Sequence, residues 1–447
     1  MNTAPASAVG RALNPAPAIP RTPTELAIAA AFAAARAGLP GTESVAAARA
    51  VAFDAFEAKG LPSRRTEAWR YTDLRALLRS APPAPPIAAS AAEAADPLPG
   101  LDRARLVVLD GRYRPDLSDL SGLDGLVVSD VATLLAAGDE RIGAEAGRLA
   151  DAMVALNTAM MSGGVAIEVP DGHDVVRAVE IAHVTSGAYS VFARNSVRVG
   201  AGASLRLVET FTGAEAAAYQ ANVVTEAVIG DRAKLTWAKL QADGQAAVHI
   251  GTTVVSIGGA SQFDHLTLTT GAAISRSQSF VTYGGEFARA GLFGATMIGG
   301  KQHADIMLGV DHAVPNGASR ELFKAVMDGK ADGIFQGRII VRPGAQKVDG
   351  KMMTQGLLLS EEASFSVKPE LEIFADDVQC AHGATSGEID EDMLFYLLSR
   401  GIPRAEAETL LVTAFLAEAI EGLGDEAIGE VFEVVARNWL AGRKTAS

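Results

Sequence analysis

Glycine-broken strand patterns recur at a steady spacing in the middle of the chain, and this recurrence limits the folds that the sequence can adopt. The patterns show β-branched alternation and cover residues 196–208, 222–240, 248–268 and 279–297. Their interruptions at Gly200, Gly230, Gly258 and Gly284 follow one another after 26 to 30 residues, a spacing typical of solenoid repeats. Only three prolines interrupt residues 171–390, which suits long stacked strands because proline removes a ladder donor.

Three β architectures are compatible with these strands: a sandwich, an antiparallel barrel and a parallel β-helix. A doubly wound sheet is disfavoured, because helical crossovers are missing between the strands. A coil-sized repeat with glycine corners favours the parallel β-helix, since each coil can bury its apolar face only against its neighbours.

Proline content and helical periodicity divide the rest of the chain. Fourteen of the 19 prolines precede residue 116, and helical patterns return after residue 390. We therefore predict a mainly β protein with helical ends. Its parts are an N-terminal helical region with a proline-rich linker (1–100), a mixed α/β connecting segment (101–164), the β-helix core (165–389) and a C-terminal helical domain (390–447). The predicted helices cover residues 24–38, 42–60, 66–79, 139–161, 390–399, 404–422 and 425–441.

An apolar stripe on the predicted helix 404–422 has two interpretations. It contains Ala407, Leu410, Leu411, Ala414, Phe415 and Ala419. The stripe can pack on the end of the solenoid as a cap on the last coil, which solenoids require. Alternatively, it forms a docking surface for a partner.

The charge balance and the single cysteine exclude several classes of function. The chain has 39 Lys and Arg against 53 Asp and Glu, a net charge of −14, which argues against nucleic acid or an anionic membrane as a partner. Cys380 alone cannot form an internal disulfide or a four-cysteine metal site. No signal peptide is recognisable, and the longest apolar run, residues 26–35, is about half a membrane span. We expect a cytoplasmic protein.

Motifs of common enzyme classes are also absent. None of the three Gly-Lys pairs belongs to a Walker A motif, so the chain is not expected to hydrolyse ATP. The glycine pairs lie between strands instead of opening a helix, which excludes a dinucleotide fingerprint. Neither a Gly-x-Ser-x-Gly elbow nor a His-Glu-x-x-His motif occurs.

Cys380 and His382 form the one pair with metal-binding chemistry. Two residues apart on a strand, they point to the same face with Cβ atoms roughly 6 to 7 Å apart. Thiolate and imidazole together suit iron or zinc, including iron in a sulfide cluster. Two ligands are too few for a closed site, so a second chain or exchangeable ligands would complete it. In the alternative interpretation, Cys380 is a small core residue and His382 a hydrogen-bonded neighbour.

Other candidate groups are acids and histidines near this pair. Asp376 and Asp377 are adjacent, so on a strand they face opposite sides and make a poor acid–base pair. We interpret them as turn or surface acids. Two further pairs, His303 with Asp305 and Asp311 with His312, are expected to be solvated or hydrogen-bonded loop residues.

Residues 368–402, together with residues 335–351 and 61–78, resemble the SufB/SufD family, and its SufD-type members most closely. These proteins are scaffold subunits of the SUF iron–sulfur cluster assembly machinery. The resemblance implies a right-handed parallel β-helix core between helical N- and C-terminal domains. It also implies pairing with a SufB-like paralogue, while each of the two binds one copy of the SufC-like ATPase. ATP would then act only through SufC.

The resemblance also implies roles for single residues. Cys380 and His382 fall at the family's Cys-x-His, which is implicated in iron acquisition or assembly of a transient cluster at the interface with SufB. An edge strand near residues 376–383 would pair with SufB, and the C-terminal helices would dock SufC. The predicted partner-binding residues are Asp376, Asp377, Gly383, Phe395, Tyr396, Arg400, Leu411 and Phe415.

Several alternatives stay open at this point. A SufB-type subunit is disfavoured, because SufB carries several cysteines that this chain lacks. A β-helix carbohydrate-active enzyme using Asp376 and Asp377 is disfavoured by the missing signal peptide and the 6% aromatic content. The scaffold could also lack metal contact, with Cys380 in the core, and the isolated chain could form a homodimer through its exposed edge. The sequence does not decide whether a flavin binds the assembly.

Overall fold

The computed structural model describes residues 20–86 and 96–443. Residues 1–19 and 444–447, and residues 87–95 of the predicted proline-rich linker, lie outside the described part. Within it, the chain is mostly β, with a parallel β-helix of about eight coils and helices at both ends. The predicted fold class is therefore confirmed, and the division into four parts stays a prediction.

The β-helix is built from two sheets that receive successive strands in turn. The strands are β1 Arg103–Leu109, β2 Arg112–Tyr113, β3 Val127–Asp130, β4 Val165–Val169, β5 Ala178–Thr185, β6 Ser190–Val199, β7 Ser204–Gly213, β8 Gln220–Ile229, β9 Lys234–Gln241, β10 Val248–Ile257, β11 Gln262–Thr269, β12 Ile274–Tyr283, β13 Arg289–Ile298, β14 His303–His312, β15 Ala318–Met327, β16 Asp332–Val341, β17 Asp349–Leu358, β18 Ser364–Ile373 and β19 Gln379–Gly387. One sheet has the order β19-β17-β15-β13-β11-β9-β7-β5-β1-β2, here called the odd sheet, and the even sheet has the order β18-β16-β14-β12-β10-β8-β6-β4-β3.

Strand pairing confirms the repeat that the glycines predict. From β4 to β19, paired strands are parallel, and paired residues lie 26 to 32 positions apart. The predicted segment 222–240, for example, covers most of β8, a corner at Gly230 and most of β9. Each segment is thus the junction between the two sheets within one coil.

The corner glycines are required by close stacking between coils. A Cβ on Gly230 would lie 2.7 Å from the backbone nitrogen of Ala201 in the preceding coil, and one on Gly258 would lie 2.8 Å from that of Asp231. Neighbouring corners use residues with positive φ, such as Arg232 at 57° and Ala260 at 54°. The spacing of the glycines therefore reports backbone contact between successive coils.

Helices flank the solenoid. They are α1 Pro23–Ala35, α2 Glu43–Lys59, α3 Leu74–Leu77, α4 Val131–Ala136, α5 Ala152–Met160, α6 Glu391–Ser399, α7 Arg404–Glu421 and α8 Glu426–Arg443, with short 3₁₀ turns at Glu67–Trp69, Pro115–Leu117 and Ala146–Arg148. The side chains of α1, α2 and α5 pack together and against Phe192 and Ile250 on the outer face of the even sheet. No helix among the described residues is long and apolar enough to cross a membrane.

Two predicted helices are wrong in length. Residues 66–79 form a 3₁₀ turn and the one-turn helix α3, because Trp69 stacks under Arg276 with 4.6 Å from the guanidinium to the ring centroid. Only α5 and a 3₁₀ turn form within residues 139–161. There the backbone NH groups of Gly143 and Ala146 donate to Glu226 of β8 instead of entering a helix.

The C-terminal helices cover the side of the solenoid, not its end. Val412, Leu416 and Phe432 of α7 and α8 are buried in one cluster with outward-facing residues of the odd sheet, from Val208 on β7 to Val326 on β15. The interpretation of the α7 stripe as a cap on the last coil is therefore wrong. The last strands, β18 and β19, have only half-buried and exposed residues.

A candidate metal-binding site at the open end of the solenoid

Cys380 and His382 lie on β19, the terminal strand of the odd sheet. Their register partners on β17 are Gly350 and Met352, both buried. Alternation along β17 directs Gly350 and Met352 to the interior, and Cys380 packs against the same interior cluster as Met352. Cys380 and His382 therefore share the inward face of the last coil. In the part of the chain that the structure describes, no further coil covers them, and Cys380 is half-buried and His382 exposed.

The Cys380 thiol is held in its protonated form. Burial raises the pKa of the thiol, and the nearby carboxylates of Asp349 and Glu321 raise it further, while a backbone hydrogen bond from Gly350 opposes the rise. A thiol in such surroundings is a weak nucleophile. A bound cation would reverse this effect, because a metal ion favours the thiolate.

Within residues 20–86 and 96–443, no three His, Cys, Asp or Glu side chains are close enough together to hold a metal ion. The pair on β19 thus offers two donors on one face. The donor set of one thiolate and one imidazole would suit iron.

A buried acid lies two strands further inside, and the sequence patterns did not reveal it. Glu321 on β15 is paired with Met352, which is paired with His382, so the three residues form one inward row. The Glu321 side chain is only 2% exposed, and among the described residues neither carboxylate oxygen has a hydrogen-bond partner. Burial raises the pKa of Glu321 to about 8, although Ser319 and Arg320 partly oppose the rise.

The predicted loop histidines lie on a strand instead. His303 and His312 are the first and last residues of β14, which is a correction to the loop assignment. Asp305, on the same strand, is buried and binds Arg276 and Thr72. These contacts attach the segment around Trp69 to the outer face of the even sheet.

His312 is fully buried inside the solenoid. Its Nε2 lies 3.1 Å from the Ser319 hydroxyl, two residues before Glu321. Burial lowers the pKa of His312 to about 4, although the charge of Asp311 opposes the shift. The interior next to Glu321 therefore contains a neutral imidazole and a hydroxyl.

The acids before β19 are surface residues in a turn. Asp376 and Asp377 are exposed, and Asp377 forms an ion pair with Lys347. Its backbone NH donates to the Gln346 side chain at 2.8 Å. Gly383, within β19, lies beside Met353, and a Cβ there would approach the Met353 methyl to 2.7 Å.

The predicted docking residues differ in exposure. On α6, Phe395 is 72% and Tyr396 56% exposed, with the Arg400 guanidinium 4.9 Å from the Tyr396 ring centroid. On α7, Leu411 is half-buried, and Phe415 packs against the buried cluster with Lys324 4.5 Å from its ring centroid. Among the predicted docking residues, the exposed apolar surface therefore belongs mainly to α6.

Comparison with known proteins agrees with this architecture. Residues 182–415 match the family model described as "SUF system FeS cluster assembly, SufBD core domain", and residues 40–181 match "SufBD protein N-terminal region". The iron-sulfur cluster assembly protein SufD of Escherichia coli is 30% identical over 389 residues, which cover 85% of this chain and 88% of that protein. A SufBD family protein of Synechocystis is 29% identical over 379 residues, or 81% and 83% of the two chains. SufD of Bacillus subtilis is 27% identical over 287 residues, or 62% and 64%.

Proposed function

Because the chain belongs to the SufBD family of the SUF iron–sulfur cluster assembly system, we propose that it is a non-catalytic, SufD-type scaffold subunit. It pairs with a SufB-like paralogue and docks a SufC-like ATPase. ATP acts only through this ATPase. At the interface with the paralogue it contributes to iron acquisition and nascent cluster assembly. Iron, or the transient cluster, is the cargo of this site.

The observation that carries the proposal is the placement of Cys380 and His382. They present a thiol and an imidazole on one face of β19, which no further coil covers among the described residues. A two-donor site can release its cargo, whereas a closed site with four protein ligands would retain it. A partner chain supplies the missing ligands.

The edge of β19 supports pairing with the paralogue. Among the described strands, β19 pairs with β17 alone, so the backbone groups along its other edge can accept a further strand. The exposed Asp376 and Asp377 and the half-buried Gly383 lie along or next to this edge. Addition of a strand here would bring the partner's ligands next to Cys380 and His382.

The surface of α6 supports docking of the ATPase. Phe395 and Tyr396 expose aromatic rings on a short helix, and aromatic residues are enriched in protein interfaces. Arg400 lies against Tyr396 and extends the same surface. Leu411 and Phe415 of α7 are partly buried and would contribute less to the docking surface.

The test is cluster maturation by the complex of this chain with its SufB-like and SufC-like partners, purified anaerobically after co-expression. We expect His382→Ala and Cys380→Ala to leave folding and complex assembly intact but to lower the iron and sulfide content of the complex. Gln379→Ala is the matched control, because Gln379 is an exposed residue of β19 on the opposite face. Wild-type cluster content in both site variants would contradict the ligand role.

A further inference from the structure

A group of arginines without ion-pair partners lies in residues 59–79, from the end of α2 to just after α3. The chain has a net charge of −14, yet this segment contains six Lys and Arg against two Asp and Glu, a local net charge of +4. In the part of the chain that the structure describes, four exposed arginines of the segment form no ion pair: Arg64, Arg65, Arg70 and Arg79. Clustered positive charges of this kind attract negatively charged ligands.

Two of these arginines line a surface pocket, here called the arginine pocket. Its volume is about 390 Å³, and it is lined by Ser63, Arg64, Arg65, Asp73, Arg75 and Ala76. Asp73 is the N-cap of α3, and its carboxylate accepts a backbone hydrogen bond at 3.1 Å. Nε of Arg75 lies 3.4 Å from Oε1 of Glu25. The acid of the pocket is thus engaged within the chain, and Arg64 and Arg65 can bind a carboxylate from outside it.

The arginine pocket lies beside the last strand of the even sheet. Glu67 forms an ion pair with Lys368 of β18 at 3.3 Å. The charge of Arg64 acts on Asp332, the first residue of β16, whose register partner is Ser364, the first residue of β18. Among the described strands, β18 pairs with β16 alone, as β19 pairs with β17 alone. A partner that covers this end of the solenoid is therefore adjacent to the arginine pocket.

The remainder of this end is acidic. Residues 361–392 contain ten Asp and Glu but only one Lys and no Arg. Two copies of the chain joined by this end would bring two acidic surfaces together, which disfavours a second copy as the partner. A complementary partner instead carries carboxylates opposite the arginine pocket and positive charge opposite the acidic surface. Complementarity of this kind fixes the orientation of a partner and suppresses wrong ones.

We propose that the arginine pocket binds an acidic segment of the SufB-like paralogue and thereby orients the paralogue on the open end of the solenoid. This inference rests on the proposed function and adds to it a contact outside β19. A guanidinium group binds a carboxylate through two parallel hydrogen bonds, which fix the direction of approach as well as the charge. Arg64 and Arg65 together can hold two neighbouring acids of one segment.

The test is the affinity of the full-length chain for the purified paralogue, measured by isothermal titration calorimetry at low and at high salt. We expect the double variant Arg64→Glu, Arg65→Glu to bind at least about tenfold more weakly at low salt, and its affinity should depend less on salt. The matched control is Arg289→Glu, because Arg289 is an exposed arginine of β13 that forms no ion pair among the described residues. Its affinity should equal that of the wild type.

A second double variant, Arg64→Lys with Arg65→Lys, decides the matter if the glutamate variant fails to fold. It keeps both charges but loses the paired hydrogen bonds, so it should bind more weakly than the wild type and retain the salt dependence. Unchanged affinity in a folded double variant would overturn the inference and leave the proposed function intact. A double variant that loses only self-association of the isolated chain would also overturn it, in favour of a second copy. A wild-type chain that does not bind the paralogue would overturn the proposed function and this inference together.

Discussion

Removing the Glu321 carboxyl should stabilise the metal-free chain, and by an amount that depends on pH. The carboxyl titrates near pH 8 in the folded chain and near 4.5 in the unfolded chain. Between these values the folded chain holds a proton that the unfolded chain has lost, so the free energy of unfolding falls as the pH rises. Each pH unit in this window lowers the free energy of unfolding by about 1.4 kcal/mol. The total decrease reaches about 3 kcal/mol at pH 7 and about 5 kcal/mol above pH 8.

Glu321→Gln keeps the shape of the side chain and removes the titration. Its free energy of unfolding, compared with that of the wild type, should therefore be nearly equal at pH 4 and higher by about 5 kcal/mol at pH 9. Urea denaturation in the presence of a chelator, followed by circular dichroism at several pH values, measures the difference. The buried His312, whose pKa is lowered to about 4, destabilises both proteins equally on acidification and cancels in the comparison.

Two results would refute this reasoning. A stability difference that does not change with pH would mean that Glu321 is ionised in the folded chain, and hence partnered or hydrated. A difference that stops growing near pH 6 would mean that the last coils open locally before the rest of the solenoid unfolds. Amide hydrogen exchange along β15 distinguishes the second case, because local opening would accelerate exchange there with rising pH.

Three further predictions concern other parts of the chain. Phe395→Ala on α6 should leave the melting temperature unchanged but abolish co-purification of the SufC-like ATPase. Val434→Ala, at an exposed apolar position on α8, should leave co-purification unchanged. Lys239→Met should destabilise the chain by about 3–5 kcal/mol in urea denaturation, because Glu209 loses its buried partner at 3.1 Å; adding Glu209→Gln should restore most of the loss. Trp69→Ala should cost about 3–5 kcal/mol and expose residues 61–78 to limited proteolysis, since the ring is 1% exposed; resistance of this segment would show that other contacts hold it.

The sequence predicts the solenoid well because its strongest signal, the corner glycine, recurs once in each coil. Successive corners stack too closely for a Cβ at Gly230 or Gly258, so the spacing of the glycines measures the length of a coil. Helix lengths are predicted less well where the solenoid competes for the same groups. The Trp69 ring packs against the Arg276 guanidinium, and the backbone NH of Gly143 donates to Glu226, so neither segment forms the predicted helix.

The two residues of the candidate site were predictable from the sequence, whereas the buried acid Glu321 further inside the solenoid was not. Cys380 and His382 are two residues apart in the sequence, and the alternation of side chains along a strand places both on one face. Glu321 was missed because its neighbours in space are one coil away in the sequence. In addition, an isolated acid in a strand is normally interpreted as solvent-exposed. The register provides the signal in retrospect: two successive pairings backward from His382 lead through Met352 to Glu321.

The end of a solenoid differs physically from every other coil, and this difference explains why the proposed chemistry lies there. An inner coil has both of its faces buried by neighbours, so its inward side chains are inaccessible and must pack. The last coil lacks one neighbour, and α7 and α8 cover the side of the odd sheet instead of this end. Its edge is therefore free for a partner strand, and its inward side chains are accessible along the axis. Pairing of a partner strand with β19 would cover the edge and the inward side chains at the same time. Binding of the partner and enclosure of the cargo would then be a single event.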